Sequence, residues 1–75
     1  MSLVLNPEID VATQRECFSV GGLPPEAECY IKRVDHEPGK WMFSIDWPGE
    51  YHVSEESYTS PEDALDGVDQ FLKAK

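Results

Sequence analysis

The stretch that most limits how this chain can fold is Trp41-Met42-Phe43-Ser44-Ile45-Asp46-Trp47. Trp41, Phe43, Ile45 and Trp47 recur at every second residue. An extended strand puts all four on one face and Met42, Ser44 and Asp46 on the other, whereas a helix would scatter them around its axis. Pro-Gly pairs bound the segment, Pro38-Gly39 before it and Pro48-Gly49 after it. In each, proline pre-sets φ at the second turn position and glycine accepts the positive φ of the third. Connections this short join antiparallel strands. The neighbours therefore read as partner strands. Ala27 to Val34 alternates Ala27, Cys29 and Ile31 with Glu28, Tyr30 and Lys32, and Glu50 to Ser54 returns with Tyr51 and Val53 on one face. Cys17-Phe18-Ser19-Val20 adds another strand, which Gly21-Gly22-Leu23-Pro24-Pro25 ends because two glycines and two prolines cannot continue a ladder.

A face of two indoles, a phenyl ring and an isoleucine needs a cover, and the C-terminal segment supplies it. Ser60 is a natural N-cap, Pro61 fits the first helical position, and Asp63 completes a capping-box-like Ser-x-x-Asp. Glu62 and Asp63 lie at the positive end of the helix dipole, Lys73 and Lys75 at the negative end. Ala64, Leu65, Val68, Phe71 and Leu72 recur at helical spacing and form one apolar stripe. Gly67, unfavourable by about 1 kcal/mol inside a helix, marks a close approach to the sheet. The expected fold is α+β: a small three- to four-stranded antiparallel β-meander with one C-terminal α-helix packed on one face. Residues 17–75 form that single domain. Residues 1–16 read as an N-terminal arm or a short turn of helix, with Leu3-Val4-Leu5 as a short strand or ordered arm and Asn6-Pro7 as an N-cap and first helical position.

At 75 residues the chain buries only about 60% of its unfolded surface, so its margin of stability is thin. Its charge is one-sided. The net charge is −9, and no Lys or Arg occurs from Trp41 to Leu72. Such a field repels nucleic acid and anionic membranes and attracts basic surfaces, so direct nucleic-acid binding is not expected. Met1 to Leu5 lacks the charged and apolar regions of a signal peptide, and no run approaches a membrane span. The expectation is a cytoplasmic chain with no cofactor.

Several residues invite a functional reading. With a hairpin centred on Leu23, Cys17 falls opposite Cys29, within disulfide range, as a redox-sensitive pair; the plainer account is two buried thiols acting as small hydrophobes. The pair lacks zinc-site spacing. His36 beside Asp35 and Glu37, and His52 ahead of Glu55 and Glu56, read as solvated turn and strand residues rather than metal ligands. Ser54, Ser57 and Ser60 sit in no nucleophile elbow, and a chain this short has little room for a substrate pocket, so an enzyme is not expected. One helix covers one sheet face only. Tyr30 and Met42 are then candidate partner-binding residues on the other face, alongside Tyr51, unless the arm bearing Leu3, Leu5 and Ile9 folds over them. Glu55, Glu56, Glu62, Asp63, Asp66 and Asp69 form an acidic set, read either as a solvated surface or as an imitation of a nucleic-acid backbone.

From Trp41 onward, Trp41, Pro48-Gly49, Tyr58 and Ser60-Pro61 follow one another in an order that resembles small bacterial domains joining an aromatic strand, a tight turn, a second strand and a capped helix. HicB-type antitoxins likewise join a strand to a helix through a polar cap and an alanine. The resemblance covers under half of the chain, rests on capping chemistry and implies no function. The leading expectation is a small, acidic, non-catalytic protein-binding or regulatory module of bacterial or phage type, whose partner carries a basic surface. The alternatives are an acidic nucleic-acid-mimic inhibitor of a host defence or transcription protein, and a homodimeric structural protein.

Overall fold

The alternation in Trp41–Trp47 becomes the fourth strand of a five-stranded antiparallel sheet in the computed structural model, which describes residues 3–74. The strands are β1 (Val4–Ile9), β2 (Glu16–Gly21), β3 (Glu28–Arg33), β4 (Trp41–Trp47) and β5 (Glu50–Val53), and their spatial order is their chain order. Helix α1 (Pro61–Lys73) packs across one face. Both Pro-Gly turns form as their chemistry dictates. Lys40 N donates to Glu37 O at 3.1 Å across Pro38-Gly39, and Gly39 and Gly49 take φ of 80° and 83°.

Trp41, Phe43 and Ile45 are buried, with Ile31 and Cys29 beside them on β3 and Val20 on β2. Ala64 and Val68 close this layer from the helix, and Leu65, Phe71 and Leu72 pack at its margin. Full burial of Ile31, Ile45 and Val68 contributes about 1.5–3 kcal/mol each. Ser60 Oγ accepts from Asp63 N at 3.1 Å, and the Asp63 carboxylate accepts from Thr59 Oγ1 at 2.8 Å. The cap forms as expected, with the neighbouring threonine as the carboxylate's partner. No helix among the described residues is long and apolar enough to cross a membrane.

Three expectations need correction. The sheet has five strands, not three or four, because the segment read as an arm or a turn of helix is strand β1. No helix starts at Asn6-Pro7. Asp10 N donates to Arg15 O at 2.9 Å, so hydrogen-bonded pairs alternate back along the ladder and the Pro7–Phe18 pair turns its main-chain groups away from β2. Proline has no N–H to lose there, and an edge strand accepts it. Second, Leu3 and Leu5 pack on the helix-side core, so the arm does not fold over the opposite face. Third, the β2–β3 hairpin turns about Pro24-Pro25, where Ala27 N donates to Pro24 O at 3.0 Å, rather than about Leu23. Cys17 therefore lies opposite Lys32 and not Cys29.

Gly67 does mark a close approach, but its neighbour is Tyr58 rather than the body of the sheet. A Cβ at position 67 would fall within 2.7 Å of Tyr58 Cζ. Tyr58 is held by the main chain, since Trp41 N donates to Tyr58 O and Tyr58 N to Trp41 O, each at 2.8 Å.

Candidate functional site

Successive strand residues point to opposite faces, so filling the helix side fixes what emerges on the other. Tyr30 stands opposite Ser44, which stands opposite Val53, and Asp46 stands opposite Tyr51. Tyr30, Tyr51 and Val53 are 39%, 66% and 37% exposed. Met42, opposite Lys32, is half-buried among them. Among the described residues no helix or strand covers this face, since α1 and Leu3 and Leu5 lie on the other side; the β1–β2 loop borders its far end, around Cys17, Lys32 and Met42. The candidate residues Tyr30 and Met42 thus share one surface. Val53 is the member that the sequence reading leaves out. A signal for it exists: the two-residue Pro48-Gly49 turn fixes Tyr51 opposite Asp46, and so puts Tyr51 and Val53 on the face away from Trp47.

β5 forms the rim of this surface and then breaks its ladder. Ser54 N donates to Phe43 O at 2.9 Å, but Phe43 N donates to Ser54 Oγ at 3.1 Å, so the side chain replaces the main-chain acceptor. The chain loops out through Glu55, Glu56 and Ser57 and rejoins β4 where Tyr58 pairs with Trp41. The acidic set divides accordingly. Glu55 and Glu56 are exposed on this bulge. Glu56, Asp63 and Asp66 line one shallow groove of about 540 Å³ with Tyr58, Thr59 and Gln70. Glu62 is exposed in the first helical turn. Asp69 is drawn into an ion pair with Lys73, at 3.0 Å. The six carboxylates therefore form a band along the bulge and helix rather than one array, and Asp63 and Asp69 already have local partners.

Cations are concentrated elsewhere. Arg15 pairs with Asp35, Lys32 with Asp10 and Arg33 with Glu16, at 3.1, 3.2 and 3.7 Å. All three bonds lie at the end of the sheet that carries the β1–β2 loop. Asp10 is pulled below the ordinary carboxylate range, first by the Ala12 N–H that it accepts at 2.9 Å and then by Lys32.

The two cysteines are not a pair. The three-residue shift in register is odd, so it sends them to opposite faces. Cys29 lies opposite Ile45 beneath the helix, and burial pushes its thiol up to about 12. Cys17 lies on the other face beside Lys32, and burial together with the Asp10 charge raises it. The redox pair is corrected to two separate buried thiols, because the sheet stands between them. His52 is not a solvated strand residue: its ring meets Phe71 edge-on at 4.4 Å and Phe43 at 5.9 Å, between β5 and the helix. His36 is exposed in the β3–β4 turn, as expected. Among the described residues no three His, Cys, Asp or Glu side chains gather as a metal site would require.

The chemistry this arrangement offers is contact: aromatic and aliphatic area on a rigid sheet, a strand edge, and a flanking acidic band. No family model matches the chain, and comparison with curated proteins and with solved structures finds no match.

Proposed function

We propose that this chain is a non-catalytic protein-binding module that acts by surface contact. The observation that carries the reading is the open face of the sheet, where Tyr30, Tyr51 and Val53 stand exposed around Met42 while the helix occupies the opposite side. Tyrosine on a rigid strand gives contact area at low entropic cost and keeps a hydroxyl for hydrogen bonding, which suits an interface centre. Glu55 and Glu56, on the bulge that follows β5, sit at the end of this face and favour a partner with a basic surface, while Asp63 and Asp66 extend the negative charge round to the helix side.

Site-specific photo-crosslinking in cells tests this. A benzophenone side chain at position 30, 42 or 51 should trap a discrete protein adduct. The same group at position 26, in the β2–β3 loop, should not. Adducts that form equally from position 26, or from none of the four positions, would remove the open face as the contact surface.

A further inference from the structure

The two edges of the sheet differ in a way that the open face alone does not explain. At β1 the outward-facing pairs include Pro7, which offers no N–H to another strand. At β5 the ladder runs the other way. Ser54 N bonds to Phe43 O, so His52 and Ser54 turn their main-chain groups toward β4, and Tyr51 and Val53 turn theirs outward. No strand lies beyond β5 among the described residues, and no proline or lysine blunts it. Its two outward-bonding residues are also the two exposed hydrophobic residues of the strand.

We infer that β5 is a docking edge that takes up an extended, lysine- or arginine-rich segment of a partner protein as a sixth strand. The charge around the edge decides the occupant. Asp46 stands beside Tyr51 on the open face, its own neighbour across β3 is Glu28, and Glu55 and Glu56 flank the end of the edge. Among the described residues the ion pairs made by Arg15, Lys32 and Arg33 lie at the far end of the sheet, by the β1–β2 loop. A cation on the incoming strand lies over the Tyr51 ring and within the field of these carboxylates. A second copy of this chain is disfavoured by the same charges, since antiparallel pairing of β5 with itself brings Glu55 of each copy toward the other's acidic edge. This inference rests on the reading of the chain as a binding module and names the partner's chemistry.

The test is a titration of the ¹⁵N-labelled protein with a capped peptide of alternating lysine and valine, and with the same peptide carrying glutamate for lysine. The lysine peptide should shift the Tyr51 and Val53 amides first and slow their exchange with solvent, and its binding should weaken with added salt. Val53→Pro removes an outward N–H and leaves the β4–β5 ladder intact; it should weaken binding by about tenfold or more, a ratio set by the lost strand contacts. Tyr51→Lys, at an exposed position, should do the same by charge while leaving the fold unchanged. No binding at about 1 mM peptide, equal binding of the glutamate peptide, or shifts confined to Tyr30 and the helix would overturn the docking edge. So would sedimentation showing a dimer that Val53→Pro dissociates, since the occupant would then be a second copy. Crosslinks from position 30 without any effect at β5 would overturn the edge while leaving the binding module standing.

Discussion

Replacing Gly67 by alanine sets two measurable effects against each other. Gly67 lies in the middle of α1, where alanine is more favourable by about 1 kcal/mol on helix propensity alone. Against that, the new methyl group would meet Tyr58, with Cζ at 2.7 Å and Cε1 at 3.1 Å. The ring cannot simply swing away. Its main chain is bonded twice to Trp41, and its ring packs tilted against Phe43, with 6.1 Å between the ring centroids. Relieving the overlap costs about 1–3 kcal/mol, as overpacking a filled site does. Gly67→Ala should therefore destabilise the intact protein by about 1 kcal/mol, seen as a Tm lower by about 4–8 °C. In a Tyr58→Ala background the obstruction is gone and the main-chain bridge remains, so the same substitution should stabilise by about 1 kcal/mol. A double-mutant cycle followed by urea unfolding should then give a coupling of about 2 kcal/mol. If Gly67→Ala raises the Tm of the intact protein, or if the coupling lies within about 0.5 kcal/mol of zero, the contact between Tyr58 and the helix does not constrain position 67.

Trp41→Ala should cost about 3–5 kcal/mol, because the ring is buried, packs 5.7 Å from Phe18 and lies under the Arg33 guanidinium; urea unfolding monitored by circular dichroism measures it, and a loss under about 1 kcal/mol would mean that Trp41 is not central to the core. Ser60→Ala leaves Asp63 N without its side-chain acceptor and should cost about 1 kcal/mol, with Ser60→Asp restoring most of it in the same assay. The Cys29 thiol is held at about 12 in the folded chain against an ordinary 9.0, so the unfolded chain loses its proton first. The stability tied to this group is complete below about pH 9 and declines as pH rises toward about 12; Cys29→Val should flatten that part of a urea-midpoint profile, and an unchanged slope would refute the assignment. Oxidation of the folded protein should give no Cys17–Cys29 bridge, and a non-reducing gel showing an intramolecular crosslink would contradict the placement of the two thiols on opposite faces.

The strands that could be read from the sequence were those whose signals agreed. Trp41 to Trp47 has alternation and a Pro-Gly at each end, and α1 has a cap, a proline and a stripe, so local chemistry and burial pointed the same way. β1 gave opposite signals. Asn6-Pro7 carries good helix-start chemistry, and only tertiary context, an edge whose outward positions need no donor, makes that proline acceptable in a strand. The β2–β3 register was ambiguous for a similar reason. Gly21 to Pro25 is a rich set of turn residues with no unique centre, and a shift by an odd number of residues exchanges the faces of everything on one strand. That one ambiguity produced the cysteine pair. Of the candidate surface, Tyr30 and Met42 were legible because they alternate with residues whose burial was certain. Val53 was not, because its face is fixed only by the phase of a two-residue turn.

The same reasoning shows why an open face is not in itself a sign of function. A helix of 13 residues is about 20 Å long, so it can roof one side of a five-stranded sheet and no more. Some bare sheet is thus expected from this architecture, and the composition of the bare side carries the information. A solvated face is normally filled with charged and hydroxyl side chains in alternation with the core residues. Here Glu28, Lys32 and Asp46 follow that rule, while Tyr30, Met42, Tyr51 and Val53 depart from it at neighbouring positions. Each departure exposes apolar area that contributes nothing to the helix-side core, in a domain whose stability margin is small. The departures also converge on the edge that proline does not protect. Replacing Tyr51 and Val53 by threonine keeps strand propensity and removes the apolar area, so it should leave the unfolding midpoint within about 0.5 kcal/mol of the parent while abolishing the crosslinks expected from position 30. A large loss of stability would show instead that these side chains hold the sheet together, and the case for a contact surface would fall with it.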